Sequence, residues 1–184
     1  DLSGVTWKTV DAQLREMMLA RGEVDVITGF TTTSVTLLTT LKQKFVVLRY
    51  RDFGVPGFGQ ALIVSPEFAK TNPNTVRAFV RALNRSVKAM IANPKEALES
   101  LKTRDPLINL ENEASRLDLM MDQLILTPHV VKHGLSSVDP ERLAASINNV
   151  LQITQTKTPL AVETVYTDRF LPPLSERMPP AYRH

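Results

Sequence analysis

The sequence predicts an α/β fold, with its sheet-forming part in the first third of the chain and helices beyond. Up to about residue 55, short β-branched and aromatic runs alternate with segments whose apolar residues recur at helical spacing. That order suits a parallel sheet with crossover helices. Further along, the periodicity is helical and helix starts are marked by a cap residue followed by proline. Composition permits a buried core: hydrophobic residues make up 43% and charged residues 22% of the 184, ordinary for a globular chain.

The elements follow in order. Val5–Val10 has strand composition, and Asp11 caps a following helix in which Leu14, Met17, Met18 and Arg21 share a face, with Gly22 as its stop. Val24–Phe30 is a short apolar run suited to a buried strand. Thr31, Thr32, Thr33 and Ser34 then offer cap oxygens to a helix carrying Val35, Leu37, Leu38 and Leu41. Phe45–Tyr50 is a further strand, residues 51–60 are a Gly- and Pro-rich loop or lobe boundary, and Ala61–Val64 is another strand. From Asn72-Pro73, residues Val76, Phe79, Val80, Leu83, Val87, Met90 and Ile91 trace one apolar face that ends near Asn93-Pro94. Two helices follow, over 95–102 and 110–124. Asp139-Pro140 opens another, with Leu143, Ile147, Val150 and Leu151 inward. After Thr154 proline becomes frequent and the periodicity ends, so the tail is expected to wrap over other structure.

Several function classes are weakened or removed at this level. The chain has no cysteine, which eliminates disulfides, zinc–thiolate sites and cysteine nucleophiles together. A formal charge of +3 is compatible with acidic ligands and gives no argument for nucleic acid. No apolar run approaches the roughly 20 residues of a membrane helix. No signal peptide is visible and the chain begins at Asp1, so a processed or truncated product is expected. No Gly-x-Ser-x-Gly elbow, P-loop or HExxH motif is present, and the glycines at 54, 57 and 59 mark a bend rather than a dinucleotide fingerprint. Nothing nominates an acid–base set, a cofactor or a catalytic residue.

The histidines are His129, His133 and His184. The i, i+4 spacing of the first pair would suit a metal on a helix. Pro128 and Gly134 bracket the pair and no carboxylate lies in the right local pattern, so surface or loop histidines are expected and no metal site. Arg77, Arg81, Arg85 and Lys88 form a basic stripe without interleaved aromatics, expected to be a solvated helix face.

Two clusters remain as ligand candidates. Gly29, Phe30, Thr31, Thr32, Thr33 and Ser34 lie between a strand and a helix start, where backbone N–H groups and hydroxyls hold an anion and Phe30 supplies an apolar wall. Ordinary helix capping explains the same residues equally well. Tyr50, Arg51 and Asp52 end the next strand, and ligands of open α/β sheets bind beyond strand carboxyl ends.

Met17–Phe30 resembles a helix, glycine, acidic turn, Asp and strand signature of the periplasmic solute-binding proteins of ABC importers. The group is the sulfonate, taurine, nitrate and thiamin-precursor (NMT1/THI5-like) one. Tyr50-Arg51-Asp52-Phe53-Gly54 resembles its Tyr-x-Asp-Tyr-Gly element, and Glu67–Pro73 with Phe79–Ala82 resembles its Pro-x-x-Val-x-x-Phe-x-x-Ala helix. Asn93-Pro94 with Ala97, Gly134-Leu135 through Arg142-Leu143, Val165–Thr167 and Phe170–Pro172 also fit. The matches are collinear over nearly the whole chain.

The resemblance implies the C-terminal half of a type II periplasmic-binding fold. Residues 1–55 would be part of lobe two, 56–64 a crossover or hinge, and 65–184 the helical part of lobe one with a wrapping tail. It implies a non-enzymatic, exported or membrane-tethered periplasmic protein that delivers a solute to a membrane permease. Ligand groups would be Gly29, Phe30, Thr31, Thr32, Ser34, Tyr50 and Asp52. Hydroxyls at 31–34 suit a sulfonate, nitrate or carboxylate better than the aminopyrimidine of a thiamin precursor, which stays as the alternative. The family's lobe-one βα start is not recognisable, so a homodimer, element exchange or an accompanying N-terminal piece is expected. The rival from another class is the effector-sensing domain of a transcription regulator, whose helix-turn-helix is absent from this sequence.

Overall fold

A short polar residue followed by proline starts five of the helices, because proline at the first helical position lacks only an N–H that would go unpaired anyway. The computed structural model describes residues 3–55 and 57–182. Its elements are α1 (Arg15–Ala20), a π-helical turn (Thr31–Val35) running into α2 (Thr36–Thr40), and a 3-10 turn (Tyr50–Phe53). Then come α3 (Pro66–Thr71), α4 (Pro73–Ala92), α5 (Pro94–Arg104), and α6 (Leu110–Met120) with a π-helical continuation (Met121–Ile125). The last are α7 (Pro128–His133), α8 (Pro140–Ile153), α9 (Val162–Val165) and α10 (Leu174–Arg177). Ser65, Asn93, Thr127 and Asp139 each accept a backbone N–H of the first turn of α3, α5, α7 and α8 at 3.1–3.4 Å. Asn72 starts α4 without such a bond.

The helical part of the expected α/β fold is present, and the strands are not: among the described residues no strand forms. The runs at 5–10, 24–30, 45–50 and 61–64 lack ladder partners. Phe30 and Arg49 keep extended backbone, with ψ of 132° and 131°. The reason is that a β-strand exists only in a ladder. Composition favours extended backbone, but among the described residues no second segment lies alongside to take its N–H and C=O groups, and Val46 and Ile63 are 84% and 88% exposed.

The chain forms two compact units, Asp1–Val47 and Leu48–His184. In the first, Gly22 at φ +70° ends α1: the N–H groups of Gly22 and Glu23 return to the carbonyls of Leu19 and Met18 at 3.0 and 2.9 Å, a Schellman closure. The expected inward face of this helix is displaced. Leu14 is 54% exposed, whereas Glu16 is buried.

The second unit has two apolar clusters. Ala69 of α3, Val76 and Val80 of α4 and Phe170 form one, with Val64 and Leu171 at its edge. Ile91, Leu117, Met121 and Leu135 form the other, flanked by Val87, Met90 and Leu98. Full burial of Ile91 and Met121 contributes about 1.5–3 kcal/mol each. The buried stripe of α4 runs through Val76, Val80, Asn84 and Ile91, so Phe79 and Leu83, expected inward, stand one step round the helix and are substantially exposed. Asn84 is tolerated in this stripe because its amide donates to the Val80 carbonyl at 2.9 Å and accepts from Ser136 at 3.3 Å.

Residues after Thr154 pack on this unit. Phe170 enters the first cluster, the Tyr166 hydroxyl donates to the Ser136 carbonyl at 3.0 Å, and Arg177 donates to the carbonyls of His133 and Leu135 at 2.7 and 3.1 Å.

Candidate functional site

The threonine-rich turn is built on a close approach. A Cβ at Gly29 would stand 2.0 Å from Ser34 Oγ and 3.0 Å from Ser34 Cβ, so a side chain there would force the turn open. Phe30 makes the bend: its carbonyl accepts the N–H groups of Thr33 and Ser34 at 3.0 and 2.8 Å, and its own ring stays 75% exposed. Ser34 is buried and its hydroxyl donates to Glu16 Oε1 at 2.7 Å. Its proton is therefore committed to the protein, and Ser34 fixes the turn from beneath. Thr31 and Thr32 are half-buried, with the Thr32 carbonyl accepting from Thr36 Oγ1 at 3.0 Å. Arg15 donates to the Thr28 carbonyl at 2.7 Å and ties α1 to the approach of the turn. The surface of this cluster is thus three threonines, of which Thr33 is the most exposed, and an aromatic face above a buried carboxylate.

The Tyr50–Phe53 turn belongs to the second unit. Gly54 at φ +76° allows Val55 to return its N–H to the Tyr50 carbonyl at 3.0 Å. Arg51 anchors the turn to the π-helical segment, donating to Gln123 Oε1 at 2.8 Å and to its carbonyl at 3.4 Å. Asp52 lies between two guanidinium groups, with Arg49 at 3.9 Å and Arg51 at 3.7 Å. Both pairs are half exposed, so screening by water keeps their worth small. Tyr50 is 64% exposed. The Nε of Arg49 is buried and has no acceptor among the described residues.

The candidates divide between the units: Gly29, Phe30, Thr31, Thr32 and Ser34 in the first, Tyr50 and Asp52 in the second. The sequence pattern does not single out Glu16, Arg49 or Gln123. The only trace of Glu16 is an acidic residue in the first turn of α1, which is common on solvated helices.

His129 and His133 lie on α7, with His133 an exposed surface histidine as expected, and their ring centroids are 4.6 Å apart with the planes stacked. His129 is half-buried and sits 3.9 Å from Asp139. His184 lies outside the described residues. Among the described residues no group of three or more His, Asp or Glu is placed to hold a metal ion. The Asp139 carboxyl is held below the usual carboxylate range, chiefly by the Arg142 N–H it caps. Gly57 and Phe58 reach α8, the Gly57 carbonyl accepting from Arg142 and the guanidinium lying 4.6 Å from the Phe58 ring centroid.

The family model described as NMT1/THI5 like matches residues 3–97, just over half of the chain and a span that holds both candidate turns. No curated protein and no solved structure matches the chain.

Proposed function

The chain belongs to the NMT1/THI5-like family, and from that premise we propose that it serves an ABC importer as solute-binding component, holding a small anion between two lobes. The family is typically one of binding proteins rather than enzymes, and its members are usually exported. No helix among the described residues is long and apolar enough to cross a membrane. In this reading residues 1–55 are part of lobe two, 56–64 the crossover and 65–184 the helical part of lobe one. The solute passes to a membrane permease.

The observation that supports the anion is Arg49 Nε, a buried donor without an acceptor among the described residues, beside Tyr50 and Asp52. A sulfonate or carboxylate oxygen supplies the missing acceptor, and a buried donor left unpaired costs about 1–3 kcal/mol. In the first unit, taken by itself, Thr31 and Thr32 offer hydroxyl donors and Phe30 an exposed apolar face. Glu16 narrows the choice. Within the first unit, a carboxylate beneath the turn disfavours a bare anion such as nitrate and suits a solute that also bears an amino group, such as an aminosulfonate. The same carboxylate favours the second reading, an aminopyrimidine precursor of thiamin.

Isothermal titration of the chain with taurine, ethanesulfonate, nitrate and an aminopyrimidine separates these. Taurine is expected to bind tightest, and Arg49→Gln to weaken it by about tenfold. Heat from the aminopyrimidine alone would overturn the anion reading.

A further inference from the structure

The basic stripe of α4 is more than a solvated face. It borders a cavity of about 290 Å³ lined by Arg81, Asn84, Arg85, Lys88, Pro172 and Glu176. Three cations and one carboxylate meet there, and both oxygens of the carboxylate are held by Arg81. Glu176 accepts from Arg81 Nε at 2.9 Å and from its Nη2 at 3.3 Å, while its backbone carbonyl accepts from Lys88 Nζ at 2.9 Å. This pairing fixes Arg81 and offsets its charge, and it positions Lys88 with two N–H donors still to place. Arg85 is exposed and makes no hydrogen bond or ion pair among the described residues. Asn84 is buried and already satisfied by Val80 and Ser136, so it shapes the floor and does not compete for a ligand.

An excess of two positive charges in a concavity, one from a planar guanidinium fork and one from a compact ammonium, is complementary to a doubly charged oxyanion. We propose that this cavity is a binding site for a phosphate-type dianion, contacted by Arg85 and Lys88, with Arg81 and Glu176 as positioning residues. The site lies in the second unit and shares no residue with the candidate solute turns. Free phosphate and a phospholipid headgroup present the same chemistry.

Two titrations of the full chain at low ionic strength test the proposal and distinguish those sources: inorganic phosphate by calorimetry, and phosphatidate vesicles by co-sedimentation. Saturable binding in either arm is expected. Arg85→Gln and Lys88→Gln should each weaken it by about tenfold or more. Arg77→Gln, on the same stripe but outside the cavity lining, should leave it within about twofold. Thr32→Val should also leave it unchanged, so failure of the solute reading does not touch this one. Absence of saturable binding in both arms would overturn the site, as would equal losses for Arg77→Gln and Arg85→Gln, since that equality marks diffuse attraction.

Discussion

The two units of this chain are stabilised in opposite ways. Among the described residues of the first, the buried side chains are Glu16, Ser34, Thr36 and Leu38, three of them polar. The second buries two apolar clusters, with Ile91 and Met121 inaccessible to solvent. Apolar burial is non-directional and additive over area, whereas a buried hydroxyl–carboxylate pair depends on one geometry and fails abruptly when a partner is lost. The second unit is therefore the scaffold. The first is a local arrangement held by few contacts, and segments of that kind open at low free-energy cost.

The largest test of the contrast is a cavity in the scaffold. Met121→Ala removes a side chain of zero exposure and should lower stability by about 2–5 kcal/mol, read as a shift in the urea midpoint. A loss no larger than that of a surface substitution would show that the second unit is not held by its apolar clusters.

Next is the polar pair. Ser34→Ala leaves the buried Glu16 carboxylate without its hydroxyl donor, at a cost of about 1.5–3 kcal/mol. Replacing both residues, Glu16→Leu with Ser34→Ala, should recover part of that loss in a double-mutant cycle. Additive losses would refute the coupling. Gly29→Ala acts on the same contact from the backbone, since its Cβ would overlap Ser34 Oγ. It should destabilise the turn by about 1–3 kcal/mol and reduce solute affinity in calorimetry.

Smaller effects come from titration in the second unit. Burial, followed by the 2.6 Å hydrogen bond to Asp118, raises the Tyr182 phenol above its ordinary range. The fold favours the neutral phenol, so its contribution is complete below about pH 10 and is lost as pH rises through the higher folded value. Tyr182→Phe should flatten the alkaline limb of a thermal-stability profile. Asp139 works at the other end. Its depressed pKa means a contribution present above the ordinary carboxylate range and lost as pH falls through the lower folded value, so Asp139→Asn should flatten the acid limb.

Of the five helix starts with a polar residue and a proline, two were legible, because a proline at the first helical position is a local signal. Ser65-Pro66 and Thr127-Pro128 did not stand out as starts, and Asn93-Pro94 read as an end. Asn72-Pro73 and Asp139-Pro140 needed no neighbours to be recognised. The Gly29–Ser34 turn was legible as an unusual stretch for the same reason. Its composition identified hydroxyls at a helix start, but not which hydroxyl faces solvent and which serves the protein.

What the sequence determined by itself, then, is the course of the longer helices α4, α5, α6 and α8, where strand-like composition lies, and which family the chain resembles. Tertiary structure decided the rest. It assigned the buried stripe of α4 to Asn84 rather than Phe79 and Leu83, left the strand-like runs without ladders, and placed a carboxylate beneath Ser34. Each of these depends on what lies opposite a residue rather than beside it in the chain. Burial and pairing are relations between distant segments, and no local pattern encodes the partner.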